Sequence, residues 1–172
     1  MAFFASLPTG KYLIPTEQLL EYTPAWFSPL AAITHGVTTA YWPANARMLL
    51  QPSLEPKVGF DNVTPRLQIN RLLQESDTFQ RLNAAHLNQL ESLPIFIAAM
   101  ILGKYAEIEE TRLSKLATLW IILRNLYSVV YVVQNKPLSW VRSVLFIWSL
   151  SISCNLIREA AAKLQQKKST KE

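Results

Sequence analysis

The sequence predicts an all-α fold, a transmembrane up-down bundle of four helices. Composition is the first of three observations behind this. Half of the 172 residues are hydrophobic, 17% are charged and only 4 are glycine, which suits neither a disordered chain nor a water-exposed β-rich domain. The second is that long apolar stretches recur along the chain. The third is that 116–133 and 138–157 are apolar on nearly all sides, whereas helices of a soluble bundle keep a polar face along their length. A chain of this length accommodates one domain.

The first helix is expected over 25–50, where Trp26, Phe27, Leu30, Ile33, Val37, Tyr41 and Leu49 alternate with threonines, His35 and Pro43. Trp26 and Trp42 would mark the two membrane interfaces. Residues 51–66 hold Pro52, Pro56, Gly59, Asn62 and Pro65 and read as a long loop. Over 67–86 the spacing of Leu67, Leu72, Phe79 and Leu82 predicts an interfacial helical lead-in to the second apolar stretch, 87–105. A charged turn from Lys104 to Lys115 follows, then the third stretch over 116–133. The short Gln134-Asn135-Lys136-Pro137 connection leads to the fourth, over 138–157. Each of the last three approaches the roughly 20 residues that cross a bilayer as a helix, and short connections make neighbours antiparallel. The expected organisation is an extension over 1–24, a membrane domain over 25–160 and a basic tail over 161–172.

The net charge of +5 is concentrated near the C-terminus in Arg158, Lys163, Lys167, Lys168 and Lys171, as in a solvated end or a contact with anionic membrane lipids. No surface interleaves basic and aromatic residues, so nucleic acid is not an expected partner. Cys154, the single cysteine, lies among Ile152, Ser153 and Leu156 and is expected to be a packed, inert thiol. The N-terminus lacks the basic and apolar regions of a cleaved secretory signal. His35 and His86 have no ligand-spaced companions, so no metal site is expected.

Ionisable groups inside membrane helices are costly and mark functional sites by default. Arg81, Asn88 and Glu91 share one helical face at the start of the second stretch. Arg124, Tyr127 and Tyr131 share a face of the third, and Arg142 and Ser143 open the fourth. In an up-down bundle these positions meet at one membrane surface. Such a set suits a small ligand with carboxylates and an amine, as in glutathione. The alternative is that the groups satisfy one another, with Glu91 pairing to Arg124 or Arg142.

The segment Arg81-Leu-Asn-Ala-Ala-His86-Leu-Asn88-Gln-Leu-Glu91-Ser-Leu-Pro94-Ile-Phe96 resembles the second-helix signature of the MAPEG family, the membrane-associated proteins of eicosanoid and glutathione metabolism. Arg124-Asn-Leu-Tyr127-Ser-Val-Val-Tyr131 and Arg142-Ser143 are similar to its third- and fourth-helix pattern, and Thr64-Pro65-Arg66 to an Asn-Pro-Arg that precedes the second helix in some members. The resemblance implies a homotrimer in an intracellular membrane such as the endoplasmic reticulum, binding glutathione between subunits and a lipophilic small-molecule substrate from the bilayer. It implies that Arg81, Asn88, Glu91, Arg124, Tyr127 and Tyr131 bind the peptide, while Arg142 and Ser143 serve the sulfur as catalytic residues. Many glutathione-using members carry a second arginine three residues after the first, where this chain has Ala84.

Two functions are therefore expected in competition. One is a glutathione-dependent transferase or isomerase; the other is a non-catalytic scaffold that presents lipid to a partner enzyme. Orientation is pulled two ways. Arg47, Lys57, Arg66, Arg71, Arg81 and Lys136 on one side are outnumbered by Lys11, Lys104, Arg112, Lys115 and the five tail residues on the other. That bias favours cytoplasmic termini, whereas a cytosolic supply of glutathione favours the reverse.

Overall fold

In the computed structural model, which describes residues 28–133 and 139–169, five helices follow one another: α1 (Ala31–Leu54), α2 (Pro65–Glu75), α3 (Asp77–Tyr105), α4 (Glu110–Val133) and α5 (Ser139–Ser169). There is no strand among the described residues. Residues 25–27, with Trp26, the 1–24 extension and the Gln134–Pro137 connection lie outside them.

Cross-helix contacts fix the register. Gly36 of α1 meets Phe96 of α3, the His86 ring nitrogen Nδ1 lies 2.8 Å from the Ala40 carbonyl, and Arg47 hydrogen-bonds Asn83, so α1 and α3 run antiparallel. Gln89 with Arg124 and Arg81 with Val132 set α4 antiparallel to α3. Arg142 with Tyr131 and Glu159 with Arg112 set α5 antiparallel to α4.

The helices begin and end where local chemistry dictates. Ser76 caps α3 by accepting a hydrogen bond from the Phe79 N–H at 3.3 Å, and Asp77 in the first turn and Lys104 in the last suit the helix dipole. Pro65 opens α2, where its missing N–H costs nothing. Pro43 and Pro52 both lie inside α1, so that helix continues to Leu54 and shortens the expected loop. Proline there removes one backbone bond but leaves the helix continuous when neighbours support it.

Three helices, α3, α4 and α5, are long and apolar enough to cross a membrane. The expected fourth, α1, has the length at 24 residues, but its threonines, Asn45, Arg47 and Gln51 dilute its apolar content. Lipid supplies no hydrophobic drive for helices to associate, so close packing of small residues must do so. Ala85, Ser92, Ala99 and Gly103 line the inner face of α3, and Ser149, Ser153 and Ala160 that of α5. Gly36 shows how tight the approach is: a Cβ there would lie 2.9 Å from the Phe96 ring. Phe96 in turn stacks on Trp120 with centroids 4.0 Å apart.

One expectation is corrected. Cys154 is exposed rather than packed, because α5 is apolar all round and its neighbours in sequence do not reveal which face turns inward. At the C-terminal end, α5 runs unbroken to Ser169. Lys167 in its last turn pairs with Glu107 at 2.7 Å.

Candidate functional site

The site is built around Arg124, which α4 carries at its inner face, 0% exposed. A guanidinium in such a place needs acceptors. It finds them on α3, where Nε donates to Gln89 Oε1 at 2.7 Å and Nη2 to the Asn88 carbonyl at 2.8 Å. Gln89 is held in turn, its Nε2 donating to the Arg124 carbonyl at 2.8 Å and to Ser128 Oγ at 2.5 Å. Nη1 is buried and has no hydrogen-bond partner.

Aromatic rings surround the same cation. The Arg124 guanidinium carbon lies 4.5 Å from the Tyr127 ring centroid, 5.4 Å from Phe146 and 6.0 Å from Trp120. Tyr127, 3% exposed, meets Tyr131 edge-on at 5.7 Å, and the Arg142 guanidinium sits 4.6 Å from the Tyr131 ring. The steps of three and four along α4 that predict one face thus give a continuous ladder from the buried Arg124 to the half-buried Arg142. Ring faces stabilise cations by roughly 0.5–2 kcal/mol each but leave the charge unneutralised.

The α3 residues are less gathered. Asn88 turns back on its own helix, Nδ2 donating to the Ala84 carbonyl at 2.8 Å. Arg81 Nη1 donates to the Val132 carbonyl at 3.3 Å, joining the outer ends of α3 and α4. Glu91 is exposed and makes no ion pair with either Arg124 or Arg142. Mutual satisfaction by a Glu91 pair is therefore absent within the protomer. Ser143 is exposed on α5.

Three contributors are not evident from the sequence reading. Gln89 is the main acceptor for Arg124, and its signal is a polar side chain on the same helical face as Leu82, Ala85, Ser92 and Phe96, at steps of seven, four, three and seven residues, all of which turn inward. Phe146 is four residues beyond Arg142 and therefore on its face. Arg47 crosses from α1 to hydrogen-bond Asn83 and lies 5.7 Å from the Phe79 ring centroid, with its Nε buried and unpartnered. No group of three or more His, Cys, Asp or Glu side chains is placed to hold a metal among the described residues.

A membrane protein with an arginine–tyrosine site at one end of its apolar helices is the class that fold and site define. The match of residues 24–162 to the MAPEG family makes this specific: the chain belongs to that family, the membrane proteins of glutathione and eicosanoid metabolism. No curated protein and no solved structure matches the chain.

Proposed function

We propose that the protein is a glutathione-dependent transferase or isomerase acting on a lipophilic substrate, with α1 crossing the membrane beside α3, α4 and α5 and three copies forming the assembly. The observation that carries the reading is the unpartnered Nη1 of Arg124, a buried cation with no carboxylate in ion-pair contact among the described residues. A ligand carboxylate would satisfy that donor in charge and in hydrogen bonding. Arg47, with its buried free Nε, offers a second such donor near the outer end of α3.

Glutathione supplies a thiol, whose thiolate is the nucleophile. Arg142, resting on Tyr131, holds a positive charge that stabilises that thiolate, and Ser143 beside it donates a hydrogen bond to the sulfur. Glu91 receives the ligand amine, while Asn88, Tyr127 and Tyr131 orient the peptide between Arg124 and Arg81. Tyr127 and Phe146 also exclude water from the inner end, which strengthens each polar contact there. The substrate enters from the bilayer in the endoplasmic reticulum or another intracellular membrane.

The test is glutathione binding to the purified protein, wild type against Arg142→Ala, read by thiolate absorbance. Wild type should show a thiolate signal that the variant loses. No detectable binding at millimolar thiol would overturn the proposal.

A second reading is favoured by one observation. Asn88 is tied to the carbonyl of Ala84, the position where many glutathione-using relatives carry a clamp arginine, so a non-catalytic scaffold presenting lipid to a partner enzyme is the competing function. Conjugation of a generic electrophile by the isolated protein would eliminate it.

A further inference from the structure

On the side of the molecule away from Arg142, the apolar run of each of α3, α4 and α5 is bounded by a cation. In α3 the run closes at Gly103, before Lys104; in α4 it opens at Leu116, after Lys115; in α5 it closes at Ile157, before Arg158. From Trp140 to Ile157, α5 holds a single charge, that of Arg142, and covers about 27 Å of helix, close to a hydrocarbon thickness of about 30 Å. The Arg112–Glu159 pair fixes the relative height of α4 and α5 independently. Counted from it, Lys115 lies about 4.5 Å and Arg158 about 1.5 Å toward the membrane centre, so the two stand within about 3 Å of one height.

Three of the four glutamates at this end are engaged by other cations. Glu110 pairs with Lys104, Glu159 with Arg112 and Glu107 with Lys167, and Lys163 Nζ donates to the Glu107 carbonyl at 3.5 Å. Lys163 and Lys167, one turn apart, are thus spent on the α3–α4 turn. The fourth, Glu109, lies in that turn, beyond the level of Lys115. Lys115 and Arg158 form no ion pair among the described residues. Arg158 is exposed, as are Cys154 one turn before it and Ala161 and Ala162 one turn after it, so no acidic side chain of α5 shares its outer face. Lys115 is half-buried, and its long stem lets the ammonium reach the interface.

Position selects the occupant. Phospholipid headgroups surround any helix where it leaves the hydrocarbon, and a soluble partner would have to penetrate them to reach these cations. An unneutralised Lys or Arg at that level favours net-negative lipid by about fivefold. We infer that Arg158, with Lys115 at the same height, holds the headgroup of an anionic phospholipid against the outer face of α5. This lipid site lies about 24 Å along α5 from Arg142 and is independent of the glutathione reading.

The experiment places a fluorophore on Cys154, the single cysteine, which is exposed one turn inside Arg158 on the same face. The full chain is reconstituted in phosphatidylcholine bilayers, and quenching by nitroxide-labelled phosphatidylglycerol is compared with quenching by nitroxide-labelled phosphatidylcholine. Half-quenching is expected at an about fivefold lower mole fraction of the anionic lipid. Arg158→Gln/Lys115→Gln should bring the two lipids within about twofold of each other and leave the phosphatidylcholine curve in place, which a misfolded protein would not do. Arg158→Lys/Lys115→Arg should keep the preference, and so should Lys168→Gln, which removes a cation about 15 Å further out. Several results would overturn the inference: no quenching by either lipid, as when a second copy covers this face; equal quenching in the wild type; or a preference unchanged in the glutamine double variant. So would a loss with Lys168→Gln as large as with that double variant, or displacement by millimolar inorganic phosphate at constant ionic strength.

Discussion

The two ends of the helical assembly treat their charges differently. At the end where α3 turns into α4, cations meet carboxylates: Lys104 pairs with Glu110 at 2.8 Å, Arg112 with Glu159 at 3.0 Å and Lys167 with Glu107 at 2.7 Å. At the other end Arg124, Arg142 and Arg47 rest on aromatic rings and on amide or carbonyl oxygens. Paired charges close a surface, whereas cations held by neutral groups keep their attraction for an incoming anion. On the proposed function, one end thus serves as a fastening and the other as a receptor.

The largest effect should come from breaking the receptor at its buried centre. Arg124→Ala leaves Gln89 Oε1 and the Asn88 carbonyl without their donor, and a loss of about 3 kcal/mol is expected in reversible unfolding, together with loss of glutathione binding. Arg124→Lys keeps the charge but not the fork, and should recover less than half of the stability. Next comes Gly36, where bulk tests the helix contact beneath both ends. Gly36→Val must displace the Phe96 ring and should cost about 1–3 kcal/mol, read as a lower unfolding midpoint.

Arg142→Ala sharpens the contrast, because Arg142 is half-buried and its guanidinium lies over the Tyr131 ring. Stability should fall by less than about 1 kcal/mol, while thiolate absorbance disappears. At the fastened end Lys167→Ala should shift the unfolding midpoint least, since exposed ion pairs contribute about 0–1 kcal/mol, and ligand affinity should not change. A result in which Lys167→Ala alters binding more than Arg142→Ala would dissolve the distinction between the ends.

The smallest effect concerns the loop before α2, where Glu55 accepts from Gln68 and pairs with Arg71, and Asp61 accepts from the Thr64 hydroxyl. Hydrogen bonds from the Thr64 hydroxyl and backbone hold the Asp61 carboxyl below its ordinary range, and those from Gln68 and Arg71 do the same for Glu55. A carboxyl with a depressed folded value stabilises above its unfolded value and loses that contribution as pH falls through the folded one. A spin label at Val63 should therefore stay ordered at neutral pH and gain mobility only in acid, below the usual carboxylate range.

Much of this was legible in the sequence, and what was not has physical causes. The apolar runs that become α3, α4 and α5 and the Arg124, Tyr127, Tyr131 face followed from length and spacing. The partner of Arg124 did not, because Glu91 and Gln89 are two residues apart on one helix and only packing against α4 reveals which faces inward. The fate of Cys154 failed for a similar reason. The start of α3 at Asp77 was blurred by the polar residues of its first turns, which become helical because Ser76 caps them.

One property of α5 joins the two ends. From Ser139 to Ser169 it contains neither proline nor glycine, the usual causes of a sharp kink. It carries Arg142 near one end and Glu159 and Lys167 near the other, about 26 and about 38 Å further along its axis. Such an element spans both ends as one continuous helix, so the residues that make the ion pairs and the residue that meets Tyr131 share a single frame of reference.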